Sequence, residues 1–423
     1  MKTQTVKAIN GTAVQTLDEL LLQNDIFSEA LPGYGIIPHR PFVGRINEPV
    51  RPSPNTSREK SGTLRLDQDG YASPLSDLRG VTPLHLNENL FAAARAATDR
   101  LPLADMVETV RQNLHSYPNN GVQHLQDAIA AELAVSPAKI VIAPGSAALL
   151  RDIVLYLLKK GETMLVPAPS WSFYNSLVEP AEARIDTFPL LNDGYGFVYD
   201  RRLIAAKIEA SRAKVVLICS PNNPTGNVLP LPDFLWLTRN YPHVDFIFDE
   251  AYYGFHDSYT AVQEKELLAS TDRRNVFVIR TFSKFYGLAN LRLGFVVCSE
   301  TDARNLQKLA PVFGLASLDQ AVAVHRLADK EFRGDMQQEF AEVNAYVYTA
   351  LRQIPGLIPY RTRANFILVQ HDGRWAGLED RLLKFGFKIK RETIKGDHRY
   401  FRITYADMAT MQKLMAAIHQ LAG

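Results

Sequence analysis

Only two cysteines occur in the 423 residues, Cys219 and Cys298, and each sits inside a short apolar run. That count excludes a disulfide framework and fits buried, reduced thiols. Long hydrophobic runs are missing as well. Stretches such as Val215–Cys219 and Phe295–Cys298 have the length of strands, far short of the roughly 20 apolar residues of a membrane-crossing helix. The opening segment, MKTQTVKAINGTAVQ, carries neither the apolar core nor the small-residue cleavage site of a secretory signal. Asn55-Thr56-Ser57 has the form of a glycosylation acceptor, which has no meaning without secretion. Neither sign of charge dominates: a formal net charge of +2 offers no electrostatic grip on nucleic acid or on an anionic membrane. No Gly-x-Gly-x-x-Gly follows the first strand and no Walker-type lysine loop exists, so dinucleotide and nucleoside-triphosphate readings have no support. No metal site is expected. These absences lead to the expectation of a cytoplasmic protein with small-molecule partners, without nucleic acid or membrane.

What is present is ordinary globular material, with 46% hydrophobic and 22% charged residues. The length exceeds what one simple core accommodates, and a large domain with a smaller one is the natural arrangement. Residues 1–80 differ from the rest. Thr16-Leu17-Asp18-Glu19 has the pattern of a capping box opening a short helix. A Pro-, Gly- and Arg-rich stretch from Leu31 to about Asp67, with Arg40, Arg45 and Arg51, then reads as an extended arm. Strand and helix patterns alternate over residues 81–325, with strands at 140–143, 163–166, 215–219, 246–248, 276–279 and 293–298. Such alternation predicts an α/β domain with a mostly parallel sheet, whose ligand lies beyond the carboxyl ends of the strands. Over residues 326–423 a long helix (335–353), three short strands (365–369, 387–390, 400–404) and a closing helix (408–421) predict a smaller α+β domain. A share of residues 1–80 in that domain is left open.

Chemistry-bearing residues cluster just after the expected strands. Lys284 follows one strand, with Ser283 before it and Arg292 eight residues later. Asp249 stands at the mouth of another, followed by Tyr252. Asn222 lies in a Ser-Pro-Asn-Asn-Pro-Thr-Gly loop, and Gly145-Ser146-Ala147 opens a helix after a strand. Trp171 follows the strand at 163–166. Taken singly, each has a plain explanation: a surface lysine, a capping aspartate, a turn asparagine, a core tryptophan. Together they match what pyridoxal 5′-phosphate demands. A lysine forms a Schiff base, a carboxylate holds the pyridine nitrogen protonated, and Asn222 and Tyr252 reach the phenolate oxygen. A helix start with Ser146, Ser283 and Arg292 takes the phosphate, and an aromatic face covers the ring.

The segments SPNNPTG (220–226), DEAY (249–252) and TFSKFYGLANLRLGF (281–295) resemble class I/II aminotransferases, most of all the histidinol-phosphate aminotransferase branch. The likeness covers roughly residues 81–423. It implies the aspartate-aminotransferase-like fold type I, a homodimer and pyridoxal phosphate. Lys284 is then the Schiff-base lysine, Asp249 the partner of the ring nitrogen, and Asn222 and Tyr252 the groups at the phenolate. Tyr117, in HSYPNN, resembles the tyrosine that reaches the phosphate of the neighbouring subunit. Arg402, in YFRITY, resembles the arginine that clamps the substrate carboxylate, and Arg391 resembles a contact for a distal anionic group. The implied reaction is a ping-pong transfer of an amino group between an amino acid, or a derivative of one, and a 2-oxo acid.

The chain also departs from that pattern. Ser146-Ala147-Ala148 stands where a hydroxyl or small residue, then Asp or Asn, then Glu is usual; Trp171 replaces Tyr or Phe; and Asn290 occupies a position where Gly is usual. The same cofactor site also serves decarboxylases (the threonine-phosphate type among them), lyases and oxidases, because the bond held perpendicular to the ring decides which is broken. A ligand-sensing regulator on this fold would carry a DNA-binding helix-turn-helix, and the proline-rich first 80 residues show none.

Overall fold

The computed structural model describes residues 80–118, 122–256, 260–311 and 313–422. The capping box at 16–19, the arm at 31–67 with its arginines, and the Asn55 triplet lie outside the described residues.

Fourteen strands are described: β1 (Thr82–Leu84), β2 (Ile140–Ala143), β3 (Thr163–Ala168), β4 (Arg184–Pro189), β5 (Leu191–Asn192), β6 (Phe197–Val198), β7 (Val215–Cys219), β8 (Asp245–Asp249), β9 (Val276–Thr281), β10 (Gly294–Val297), β11 (Leu357–Pro359), β12 (Phe366–His371), β13 (Phe387–Ile394) and β14 (Asp397–Thr404). Seven of them form one sheet in the order β2-β10-β9-β8-β7-β3-β4. Its central strands are continuous apolar runs with no alternation, and every residue of β7 and β9 is buried. A strand of this kind has two buried faces and needs cover on both. The period of two divides its residues between two cores. Val216, Ile218, Phe246, Phe248, Val276 and Val278 belong to one. Val215, Leu217, Cys219, Ile247, Phe277 and Ile279 belong to the other.

All neighbours in this sheet are parallel except β10, which runs antiparallel to both β2 and β9. Two reversals cancel, so β2 points the same way as β9. The carboxyl ends of β2, β3, β7, β8 and β9 therefore meet at one edge, and the start of β10 joins them there, with Gly294 opposite both Ala143 and Thr281. The mostly parallel α/β expectation is the architecture found; the reversed β10 is a feature that apolar periodicity does not encode.

The second sheet has the order β1-β13-β14-β12-β11. Only β1 is parallel to its neighbour, pairing Thr82–Leu84 with Phe387–Ile389. The 23-residue helix Lys330–Arg352 buries Phe332, Met336, Phe340, Val343, Val347 and Leu351, a spacing of three to four that draws one stripe along it. Its start is capped by the Asp329 carboxylate, which accepts from the Phe332 amide at 3.1 Å. That stripe joins Ile367, Val369, Phe387, Ile389, Phe401 and Ile403 of the second sheet in one core. After β1 the chain returns along residues 85–89 to the strand ends of the large sheet, so one short segment serves both. Among the described residues no helix is long and apolar enough to cross a membrane.

Candidate active site

A cavity of about 410 Å³ opens at the shared strand edge. Topology alone brings its lining there. Ser146 and Ala147 follow β2, Trp171 follows β3, Asp249 ends β8, Ser283 and Lys284 follow β9, and Arg292 precedes β10. Tyr252 completes the group of expected residues in the lining.

One end of the cavity suits an anion. The helix Ser146–Leu157 starts at Gly145 with no side-chain cap, which leaves its first amides without a side-chain acceptor. Gly145 has φ +83°, which favours glycine, and a Cβ built there would lie 2.8 Å from Nη2 of Arg292 and push that guanidinium aside. Arg292 donates from Nη1 to Ser283 Oγ at 3.3 Å and to the Ala289 carbonyl at 2.9 Å. A helix start without a cap, a guanidinium and a hydroxyl at one spot are the donor set of a phosphate cradle. Ala147 and Ala148 contribute only their backbone to it.

Lys284 lies at the middle. Its Nζ donates to the Leu86 carbonyl at 2.9 Å and stands 5.7 Å from the centre of the Tyr252 ring. Burial first, then the positive charges of Arg402 and Arg292, bring its pKa down to about 7, with Glu88 opposing them. The amine is therefore available as a neutral nucleophile and base near neutral pH.

Asp249 lies at the other end and is only 1% exposed. Its Oδ2 accepts from Tyr174 Oη at 2.7 Å and its Oδ1 from the Ala251 amide at 3.0 Å. Burial raises its pKa to about 6, against the pull of those two donors. Trp171 lines the same region, with its Nε1 buried and unpartnered. Tyr252 holds its hydroxyl 2.9 Å from Nδ2 of Asn87, which donates to it.

Four expected residues stand elsewhere. Asn222 is fully buried but is not part of the lining; its Nδ2 donates to the Pro169 carbonyl (2.9 Å) and Thr225 Oγ1 (2.6 Å), and its Oδ1 accepts from Ser170 (2.6 Å). Its turn-forming role is realised, and the next residue, Asn223, lines the cavity. Arg402 is buried behind Asn223; it donates to that side chain and to the His85 carbonyl (2.7 Å), with Glu392 at 3.3 Å. Tyr117 is 75% exposed and stacks on Phe313 at 4.7 Å, outside the cavity lining. Arg391 is not brought to the cavity at all. It pairs with Glu379 and Asp380. The physical reason is register: Lys390 is the cross-strand partner of Arg402, and Arg391, one residue on, faces the other side of the sheet.

Residues that motif reading passed over are Leu86, Asn87 and Glu88, Tyr174, Cys219, Asn223 and Thr281. Tyr174 lies three residues after Trp171, one turn into the six-residue 3₁₀ helix Ser172–Leu177, a spacing that eclipses side chains and was the available signal. Nothing local marks Asn87, which is held at φ +54° by bonds with Thr404 317 positions away. Among the described residues no group of three or more His, Cys, Asp or Glu is placed to hold a metal ion.

Comparison with known proteins adds to this geometry. The family model described as aminotransferase class I and II matches residues 79–418. The histidinol-phosphate aminotransferase of Ruminiclostridium cellulolyticum is 30% identical over 305 residues, 70% of this chain and 83% of that protein. Among solved structures, histidinol-phosphate aminotransferase from Sinorhizobium meliloti, in complex with pyridoxal-5′-phosphate, superposes with a TM-score of 0.71 at 24% identity, covering 86% of this chain and 99% of that one. L-threonine-O-3-phosphate decarboxylase from Porphyromonas gingivalis reaches 0.67 at 19% identity, covering 81% and 99%. At such identities the structural likeness speaks for the fold, which here hosts two outcomes of one chemistry.

Proposed function

Because the chain belongs to the class I and II aminotransferases, we propose that it moves an amino group between an amino acid, or an amino-acid derivative, and a 2-oxo acid, with pyridoxal 5′-phosphate held in the cavity. The observation that carries this reading is the convergence of Lys284, Asp249 and the uncapped helix start with Arg292 in one cavity. The phosphate fits the Gly145–Ala147 turn, Ser283 and Arg292. Trp171 supplies an aromatic face, and Asp249 supplies the anion for the ring nitrogen. The cofactor contributes a carbonyl that captures the substrate amine and a conjugated ring that accepts the electron pair left at the α-carbon.

The remaining steps belong to the protein. Lys284 is the residue we assign as base: its Nζ takes the α-carbon proton and later returns one, which a pKa near 7 permits in both directions. Tyr252, anchored by Asn87, holds the phenolate end. Arg402 lies behind Asn223, outside the lining; we assign it to the substrate's anionic group, reached once Asn223 gives way, so that the bond to hydrogen, and not that to carbon, stands ready to break. Lys390, cross-strand to Arg402, shares that face of the sheet with Glu392, and a substrate with a further anionic group is the class we assign. The histidinol-phosphate enzymes among the relatives point to the same class of substrate. We assign residues 81–325 to the cofactor-binding part and 326–423 to the smaller part, with β1 crossing into the latter's sheet. We further propose a homodimer in which the exposed Tyr117 reaches the partner's phosphate site, and a reducing, cytoplasmic setting that fits the two free buried thiols.

The test is a half-reaction. The cofactor-loaded protein, mixed with a panel of amino acids and phosphorylated amino compounds and no oxo acid, is expected to release one equivalent of carbonyl product per subunit and stop. Continued release of carbon dioxide, ammonia or peroxide would mean a decarboxylase, a lyase or an oxidase instead. Lys284→Ala is expected to abolish turnover and the visible absorption of the lysine-bound cofactor. An unchanged spectrum would refute the assignment.

A further inference from the structure

Asp249 is a buried anion with no cation to balance it. Among the described residues no lysine, arginine or histidine forms an ion pair with it, and its neighbour Glu250, itself buried, is engaged by Arg280 at 2.8 Å. The other ionisable groups around it are Cys219 on β7 and the phenols Tyr174 and Tyr199, all neutral at ordinary pH. An uncompensated carboxylate at such depth takes up a proton unless donors hold its charge. Two do. The Ala251 amide is fixed by the turn itself, so the adjustable contribution is the Tyr174 hydroxyl, 2.7 Å from Oδ2.

Tyr174 is placed to do more than satisfy an oxygen. It is 1% exposed, and its ring stands edge-on to Trp171 at 5.6 Å, with Trp171 at the start of the 3₁₀ helix Ser172–Leu177 and Tyr174 one turn further on. The Cys219 thiol lies beside its hydroxyl, and Tyr199 ties down the Cys219 carbonyl at 2.5 Å from behind. The phenol therefore has one orientation, and so does the carboxylate it grips.

We propose that Tyr174 is a positioning residue of the active site: its hydroxyl donates to Asp249, holding that carboxylate anionic and in the plane that meets a protonated ring nitrogen. The inference rests on the reading of the cavity as the pyridoxal phosphate site. It predicts that the hydroxyl acts on the cofactor through Asp249 and not through packing.

The measurement is on Tyr174→Phe beside the parent protein and Asp249→Asn. Loss of one hydrogen bond to a charged group corresponds to about a ten- to hundredfold effect. The dissociation constant for pyridoxal phosphate, titrated into the apoprotein, is expected to rise by about that factor. The pH at which the visible band of the loaded protein changes is expected to move upward: a less charged Asp249 leaves the ring nitrogen less protonated, the ring then withdraws less, and the Lys284 nitrogen bound to it becomes more basic. The rate constant kcat should fall while the KM for the amino donor stays within about threefold. In the Asp249→Asn background, Tyr174→Phe should leave the band's titration unchanged. Unchanged cofactor affinity and band titration in the single variant would overturn the proposal, as would an equal effect in both backgrounds. Should Tyr174→Phe fail to fold, the double variant decides: folding restored by the neutral amide supports the proposal, and failure in both makes the role structural. If the parent protein itself forms no visible band with pyridoxal phosphate, the functional reading fails instead.

Discussion

Lys284 and Asp249 have pKa values displaced toward each other, and both shifts come first from burial. An amine lowered to about 7 is poised to exchange protons at working pH, while a carboxylate raised to about 6 stays anionic above that value. The shifts leave a mark on the apoprotein's stability. Between about pH 7 and 10.5 the unfolded chain holds a proton on Lys284 that the folded chain has lost, so this group makes stability rise with pH across that window. Asp249 acts lower and in the opposite sense: between about pH 4 and 6 the folded chain keeps a proton that the unfolded chain has lost, so stability falls as pH rises. Denaturant unfolding of the apoprotein across pH should show both slopes. Lys284→Met is expected to flatten the upper one and leave the lower, and an upper slope that persists would place the lysine in solvent. Lys284 was legible in the chain because its partners, Ser283 and Arg292, are neighbours in the same segment. Asn87 was not, since it acquires meaning only from Tyr252, which folding brings to it, and Tyr174 carried only its spacing from Trp171 until folding set it beside Asp249.

At the scale of elements, the anion cradle is a junction of three backbones: the end of β2, the start of the helix at Ser146, and the start of β10. A Cβ on Gly294 would lie 2.5 Å from the Ser146 amide nitrogen and 2.8 Å from the Gly145 carbonyl carbon, and backbone atoms cannot rotate out of the way. Gly294→Ala should displace the phosphate-binding turn, weakening pyridoxal phosphate binding by at least about tenfold at a stability cost of about 1–3 kcal/mol. Thermal unfolding of the apoprotein together with cofactor titration separates the two effects; full affinity would show that the turn bears no part of the phosphate. Strands of the large sheet were readable because double burial makes them continuous apolar runs. The reversal of β10 and the edge strands β1 and β4 were not, because direction and pairing are properties of the sheet and leave no periodicity in a strand of three to six residues. Arg391 falls outside the cavity for the same reason: a one-residue difference in register decides which face a strand cation occupies, and the spacing to Arg402 does not reveal it.

At the scale of the whole molecule, a tyrosine 75% exposed and stacked flat on a phenylalanine 53% exposed is an apolar surface left open among the described residues. If Tyr117 completes the partner's cofactor site, each active site is built from two chains, and defects on different chains complement. A subunit with Lys284→Ala keeps a sound Tyr117, and one with Tyr117→Ala keeps a sound lysine. Each homodimer should be impaired, the first abolished and the second with a cofactor dissociation constant raised about ten- to hundredfold, the range for a hydrogen bond to a charged phosphate. Mixed after reversible dissociation, half of the dimers formed are hybrids, and each hybrid holds one site with both groups intact. Recovery of about a quarter of the parent activity, measured at subsaturating cofactor, is therefore expected. Absence of recovery under conditions where hybrids demonstrably form would confine the site to one chain and leave the Tyr117–Phe313 surface to packing alone.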